Sequence, residues 1–496
     1  MSLSSTYNII SSAFASTAAQ TSVISNNIAN ANTPGYNRQV ANVVTTSYGG
    51  SQVVSVTREA NNALLDQVNA STSLAAAQQA VASGLTTLAA TVDDSASSTS
   101  SASQNGNSPS ATLSNLESAL ATYQSSPNSQ AAGQAVVSAA SELASSLNTG
   151  TSAVQQVREQ ADSGMAASVT TINSLLNQYA QADAAVVNGT ASGANVSTAE
   201  NTRDSLLTQL SQQIGVSTTN NPNGSVSIFT DSGVPLYQTG VVSQLSFTAS
   251  PTLVAGTSGN PVTVNGVAIT GPSAPMAIQS GALAGLSTLR DTVAPQYQSQ
   301  LDQIANGVIN AFAETDQTGG GNPAMPGLFT YPGATGVPSS TTATGLAGLI
   351  EVNPAVDPSQ GGNVSLLQNG GINGANYVYN TTGVAGYTGR IQGMISSITA
   401  TQAFDPSAGL GSSASLSSYA SSSVGWVQGQ NQQASNAVTY ENSVVTQATA
   451  ALNNATGVNL DTELTNMLTI ENTYTTTAKL LTTVGAMFNA LISATN

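Results

Sequence analysis

Apolar and small residues recur at alternating spacings of three and four at both ends of this 496-residue chain. This heptad spacing is typical of helices that pack along one another. The N-terminal seam comprises Tyr7, Ile10, Phe14, Thr17, Thr21, Ile24, Ile28 and Ala31. The C-terminal seam comprises Leu460, Glu463, Met467, Ile470, Tyr474, Thr477, Leu481, Val484, Phe488 and Leu491. The spacing predicts two terminal helices, roughly 40 and 50 Å long, that pair as a coiled coil. Periodicity alone also allows each helix to dock separately on a core.

The two terminal helices have recognisable end signals. Thr33-Pro34-Gly35 ends the first helix, because a proline disfavours helix at the preceding residue and glycine supplies the turn. Asn459 is the expected N-cap of the second helix, where Asp461 and Glu463 place negative charge in the first turn. Since Thr and Ala are frequent in both seams, the pair should bury modest apolar area and be marginally stable alone.

The rest of the chain alternates between helical and strand-like patterns. Helical periodicity covers residues 59–92, 111–147, 153–187, 197–214, 281–315 and 413–453. A Ser-rich loop at 95–110 separates the first two of these regions. Residues 216–280 alternate with period two, and Asn265-Gly266 there is a hairpin signal. Residues 318–410 are rich in Gly, Pro and Asn, which predicts a β-rich or irregular insertion.

These patterns predict a multidomain, mainly α fold. Its paired terminal helices form a coiled coil, its rod domain is a long helical bundle, and small β-rich domains are inserted into the rod. The terminal domain comprises residues 1–50 and 455–496. The rod domain comprises residues 51–215, 281–317 and 411–454. The insertions are residues 216–280 and 318–410.

Composition excludes several classes of function. The chain has no Cys and no His, which removes thiol and imidazole chemistry, disulfides and the usual zinc ligands. Seven basic residues against 23 acidic ones give a net charge of −16, which repels nucleic acid and anionic membranes. Only 6 % of the residues are charged. A surface of neutral amides and hydroxyls suits packing against other subunits, and equally suits an extracellular protein.

Catalytic, cofactor-binding and metal-binding residues are not expected. The acidic residues are scattered, and the adjacent pair Asp93-Asp94 lies beside the Ser-rich loop, where solvated carboxylates are ordinary. The Gly-rich segment at 319–327 lacks the Lys-Ser or Lys-Thr of a phosphate-binding loop. The N-terminus has no basic region and the chain has no long apolar run, so the residues alone indicate a soluble, uncleaved and cytoplasmic protein.

An Asn cluster is the strongest functional hint from the residues. In SNNIANANTPGYNRQV, residues 25–40, a helical wheel places Asn26, Asn27 and Asn30 on one side, away from the apolar seam. Asn destabilises helix interiors, so the stripe is explained either by capping near the turn or by hydrogen bonds to neighbouring subunits. The second reading predicts an assembly interface. Its members are Asn26, Asn27, Asn30, Asn32, Pro34, Gly35 and Tyr36.

Four segments resemble a known family. SNNIANANTPGYNRQ resembles the N-terminal signature shared by the rod, hook and hook-associated proteins of the bacterial flagellum. Three further segments resemble the hook–filament junction branch of that family: ENTRDSLLTQLSQQIGVSTTNNPNGSVSIFTDSGVPL, SGALAGLSTLRDTVAPQYQSQLDQIANGVINAFAETDQTG and TGVNLDTELTNMLTIENTYTTTAKLLTTVGAMFNALI. The last segment departs from the family, because Ile470-Glu471-Asn472 replaces a Gln-rich stretch and Lys479 is its only basic residue.

The resemblance implies a structural junction protein without catalytic activity or cofactor. Such a protein leaves the cell by flagellar type III export without a cleaved signal, which replaces the cytoplasmic expectation. Its implied partners are copies of itself in a tube, the hook protein, the second junction protein and an export chaperone that binds near the C-terminus. The terminal helices would line the inner tube, with the bundle around them and the β units outside. Two alternatives stay open: a hook or distal-rod protein, and an extracellular carboxylate-dependent hydrolase within residues 320–450.

Overall fold

A computed structural model of the chain describes residues 3–47, 49–94, 106–339 and 344–495. Most of the predicted Ser-rich loop at 95–110 lies outside these residues. The helices are α1 (Leu3–Ala29), α2 (Asn62–Ala89), α3 (Pro109–Ser125), α4 (Gln130–Ser192), α5 (Ser197–Gln213), α6 (Ala282–Thr288), α7 (Ala294–Ala311), α8 (Leu366–Asn369), α9 (Gly389–Thr399), α10 (Leu416–Thr456) and α11 (Leu460–Thr495). The prediction of a mainly α fold with small sheets is confirmed.

The strands are short, and their pairings are antiparallel. They are β1 (Gln39–Thr45), β2 (Ser51–Arg58), β3 (Val216–Asn220), β4 (Val226–Thr230), β5 (Pro235–Gln238), β6 (Val241–Val242), β7 (Leu245–Ser246), β8 (Thr263–Val264), β9 (Val267–Ala268), β10 (Phe329–Thr330), β11 (Glu351–Val352), β12 (Thr401–Ala403) and β13 (Ser413–Ser415). Two sheets have the orders β3-β4-β5-β6 and β7-β8-β9. The other strands pair as β1-β2, β10-β11 and β12-β13.

The rod is built around α4, a continuous helix of 63 residues that is about 95 Å long. The sequence predicted two helices here, at 111–147 and 153–187, and that division is wrong. The chain breaks earlier, at residues 126–129 around Pro127, and continues as helix through Gly150. A Cβ at Gly150 would lie 2.9 Å from Leu301 Cδ1. The glycine therefore serves close packing of α4 against α7 and does not end the helix.

The core of the bundle lies where α2, α3, α4, α7 and α10 meet. Side chains that α4 and α7 bury there completely include Leu143, Leu147, Val154, Leu301, Ile304 and Val308. Residues of the 318–410 segment enter the same core, among them Phe329, which packs against Phe312 with 5.2 Å between ring centroids. In the described residues this segment has short strands, the helices α8 and α9, and four short 3-10 helices. It therefore extends the rod core and has little β structure.

A second core joins the C-terminal half of α4 to α5, α6 and the strands β3–β9. Asp183 of α4 accepts hydrogen bonds from Arg203 of α5 (3.0 Å), from Ser225 (2.6 Å) and from the Tyr237 hydroxyl (2.8 Å). This buried carboxylate ties the small sheet to the bundle. The predicted hairpin turn is confirmed, since Asn265 between β8 and β9 has φ +49° and the following glycine +82°.

The hairpin formed by β1 and β2 was not predicted from the sequence. The two strands pair from Gln39 with Arg58 to Thr45 with Ser51, and they pack on α1. The expected domain boundary at residue 50 falls in the turn of this hairpin. Both strands belong to the unit that contains α1.

Candidate assembly surface

The two terminal helices form an antiparallel pair. Asn27 near the end of α1 contacts Glu463 in the first turn of α11, and Phe14 packs edge-on against Tyr474 with 5.0 Å between ring centroids. Residue numbers therefore increase along α11 as they decrease along α1. The predicted pairing of the terminal helices is confirmed.

The predicted seam is only partly buried within a single chain. Ile10, Ile24 and Val484 are buried. Phe14, Ile28, Ile470 and Leu481 are half-buried. Tyr7 and the C-terminal seam residues Leu460, Met467, Tyr474, Phe488 and Leu491 are exposed.

These C-terminal seam residues are exposed in the isolated chain for two physical reasons, although Tyr474 still packs against Phe14 across the helix pair. One helix covers only a narrow stripe of another, and α1 has 27 residues against 36 in α11. Because both helices rise equally per residue, the pairing places Leu3 level with about residue 485. Phe488 and Leu491 therefore extend past the described end of α1.

The exposed side of α11 carries an apolar strip. We define the α11 strip as Leu460, Leu464, Met467, Leu468 and Tyr474, whose exposed fractions run from 36 % to 61 %. At 100° per residue these side chains lie within an arc of about 120° on one side of the helix. About half of the large apolar side chains that are exposed in the described residues lie on α11. An exposed apolar surface of this kind, interrupted on the same side by Glu471, is typical of an interaction site.

Threonines on α11 satisfy their own hydroxyl groups. Each donates to the backbone oxygen four residues earlier, over 2.7–3.1 Å. They are Thr465, Thr469, Thr473, Thr476, Thr477, Thr482 and Thr483. Covering these threonines would therefore leave no hydroxyl without a partner, which removes a usual cost of burying a polar surface.

Asn27 is not part of an outward-facing stripe. Its side chain is fully buried and bonds the backbone of Gln39 twice, donating to the oxygen over 2.8 Å and accepting from the amide over 2.9 Å. It also donates to Glu463 over 3.2 Å and accepts from the Tyr36 hydroxyl over 3.0 Å. The prediction that Asn27 faces neighbouring subunits is wrong, because its amide replaces a backbone partner at the start of β1.

Glu463 is the centre of this polar contact. The Arg38 guanidinium donates to it over 2.6 Å, and the side chain of Glu463 is 1 % exposed. Burial, and secondly the negative charge of Glu463, raise the pKa of Tyr36. We call Asn27, Arg38 and Glu463 the polar latch.

Asn459 accepts from the Thr462 amide over 3.1 Å, so the predicted N-cap of α11 is confirmed.

The other residues of the predicted interface surround the turn after α1. Asn26, Asn32, Pro34 and Gly35 are exposed, and Asn30 and Tyr36 are half-buried. The side-chain amide of Asn30 donates to the backbone oxygen of Asn26 over 2.9 Å and so caps the end of α1. Gly35 has φ +76°, as the turn requires. Beside this turn is a groove of about 350 Å³. Its lining includes Pro34, Tyr36, Leu65, Val445 and Leu452.

The described residues hold no cluster of three or more carboxylates that could bind a metal ion. Asp94, of the adjacent acidic pair, accepts from the amide (2.9 Å) and hydroxyl (2.7 Å) of Ser108, the N-cap of α3. This carboxylate therefore has a structural role. Within the part of the chain that the structure covers, no helix is long and apolar enough to cross a membrane.

Comparison with known proteins gives matches to three family models. Residues 98–327 match the helical domain of flagellar hook-associated protein FlgK. Residues 8–37 match the flagella basal body rod protein family, and residues 451–494 match the C-terminal family of the flagellar basal body rod proteins FlgEFG. A search of curated proteins gives no match.

Among solved structures, the chain is similar to the flagellar hook junction protein FlgK from Burkholderia pseudomallei. The two are 24 % identical, with a TM-score of 0.42, over 54 % of this chain and 46 % of that one. The match thus spans less than half of the FlgK chain. The family models lie in succession, with rod-protein segments at both ends and a hook-associated helical domain between them. They confirm that this chain resembles flagellar hook-associated protein 1.

Proposed function

We propose that this chain is a structural junction protein of the bacterial flagellum, which assembles at the distal end of the hook and connects it to the filament. The match of residues 98–327 to a hook-associated helical domain supports this role over that of a rod or hook protein. The terminal matches support membership of the axial structure more generally. The proposal includes no catalytic activity.

The exposed apolar side of α11 is the observation that carries the proposal. The α11 strip is an apolar surface that loses little when it is covered. Copies of this chain, arranged as a tube, are the proposed cover. The hook protein and the second junction protein are the proposed partners at the two ends. Asn26, Asn30, Asn32, Pro34 and Gly35 remain proposed contacts, because the described residues leave Asn30 half-buried and the other four exposed.

The proposal also covers how the chain leaves the cell. The chain is proposed to leave the cell by flagellar type III export without a cleaved signal and to act outside the cell. A chaperone that binds near the C-terminus would cover the α11 strip before assembly. The division into terminal, rod and inserted domains is proposed with one change, since β1 and β2 are assigned together to the terminal unit.

Charge on the strip tests this role. We expect the double variant Leu464→Glu, Leu468→Glu to be exported but to build no filament, because burying two carboxylates in a subunit contact costs several kcal/mol. The matched control is Asn472→Glu, Thr476→Glu, which adds the same charge on the same helix, about 40° and 80° from the nearest edge of the strip. Secreted protein in the medium and filaments under the electron microscope are the readouts.

The comparison of the two variants decides the outcome. Filaments in the control and none in the strip variant support the proposed contact. Normal filaments in the strip variant would contradict it.

A further inference from the structure

The link between the rod and the terminal helix pair is very short. The helix α10 ends at Thr456 and α11 begins at Leu460, so three residues join them. Among the described residues, the substantial packing of α11 is against α1 alone, and α1 packs in turn on β1 and β2. The hairpin contacts the rod through polar groups, since Arg58 of β2 pairs with Glu200 and Asp204 of α5. Apolar packing of α11 against the rod therefore does not determine the angle between α10 and α11, which we call the elbow.

Arg38 contacts both sides of the elbow. Its backbone amide donates to the oxygen of Thr456 in the last turn of α10, over 2.8 Å. Its side chain donates to Glu463 in the first turn of α11, over 2.6 Å. The Arg38 carbonyl also accepts from the Glu59 amide over 2.8 Å, just after β2. One residue thus connects the rod helix, the terminal helix and the hairpin.

Asn27 brings α1 to the same carboxylate. It donates to Glu463, and its two bonds to Gln39 fix the end of α1 against the start of β1. Glu463 of α11 therefore links the end of α1, through Asn27, to Arg38. Its side chain is 1 % exposed while that of Arg38 is 25 % exposed, so the bond is shielded from competing water on the carboxylate side.

We propose that Glu463 is a positioning residue that fixes the elbow angle, and with it the direction in which the terminal helix pair leaves the rod. It acts through Arg38 and Asn27. This role depends on the geometry of the latch and is independent of the proposed place in the flagellum.

Distance measurements between spin labels test the elbow directly. Because the chain has no cysteine, the double variant Gln447→Cys, Asn472→Cys carries exactly two labels, both at exposed positions. One label lies on α10 and the other on α11, so their separation reports the elbow angle. The background is the purified full-length chain, with circular dichroism and thermal melting recorded in parallel.

Three substitutions in this labelled background are compared. We expect a narrow distance distribution in the parent, a broad or shifted one in Glu463→Ala, and an intermediate one in Glu463→Gln, which keeps one acceptor oxygen. Glu471→Ala removes an exposed carboxylate from the same helix and should leave the distribution unchanged.

Each other outcome overturns the proposal. An unchanged distribution in Glu463→Ala would show that the latch does not fix the elbow. Equal broadening in Glu471→Ala would assign the effect to net charge. Loss of the melting transition of the rod in Glu463→Ala would show a general role in folding, since the latch lies outside both rod cores.

Discussion

Replacing Asn27 with alanine should release the start of β1 from the end of α1. The substitution removes the partners of two backbone groups of Gln39, a residue that is 6 % exposed. An unpaired buried group costs about 1–3 kcal/mol, so two groups together cost at least about 2 kcal/mol. That free energy corresponds to about a thirtyfold change in an opening equilibrium.

Amide hydrogen exchange at Gln39 measures this opening, because its N–H donates to the Asn27 side chain over 2.9 Å. We expect exchange in Asn27→Ala to be faster by about thirtyfold or more. The control is Asn26→Ala, which makes the same change in helix propensity at an exposed neighbour. Equal exchange at Gln39 in the two variants would refute the assignment of Asn27 to an internal contact.

Three further predictions concern the rod and its loops. Asp183→Ala leaves a buried arginine unpaired and should lower the free energy of unfolding by about 3–5 kcal/mol, measured by urea titration; a loss below about 1 kcal/mol, the worth of a surface pair, would contradict this. Gly285→Ala should destabilise the fold by about 1–3 kcal/mol, because the added Cβ would lie 2.2 Å from a backbone oxygen of α2. The control Gly425→Ala has open space and should be neutral or stabilising. Equal melting temperatures of the two variants would contradict the close packing at Gly285. Hydrogen bonds, first from the Thr318 hydroxyl, lower the pKa of Asp316 below its ordinary value of 3.8. The stability that this carboxylate contributes is complete above about pH 4 and declines as the pH falls towards the folded-state pKa, so an NMR titration midpoint at or above 3.8 would contradict it.

Features with a local cause were predictable from the sequence. The heptad spacing predicted the pairing of α1 with α11, Asn459 was identified as the N-cap, and Asn265-Gly266 predicted the hairpin turn. Each depends on neighbours along one element or on a dihedral preference of the residues themselves. These signals do not require knowledge of the rest of the fold.

Features with a tertiary cause were missed. Gly150 lies in the break predicted between residues 147 and 153, and only the approach of Leu301 explains its place inside α4. A helical wheel places Asn27 beside Asn26, but it does not contain the strand β1 or the carboxylate of Glu463. The only charge signal near Asn27 was Arg38, whose partner Glu463 is 425 residues away in the sequence.

The shared core of residues 318–410 was also invisible to local patterns. Phe329, Ile350 and Val364 are separated by Gly- and Pro-rich turns, so they show neither helical nor strand periodicity. Their burial follows from the position of the segment against α3, α4 and α7. Periodicity reports regular elements, whereas an irregular segment is stabilised by contacts that the sequence does not order.

Deletion of this chain from its own organism is the most direct test of the proposed junction role. Electron microscopy of the deletion strain should show complete hooks that carry no filament, with flagellin released into the medium. Restoring the full-length chain should restore the filaments. Loss of the hook itself would indicate a rod or hook protein, and normal filaments on normal hooks would contradict a junction role altogether.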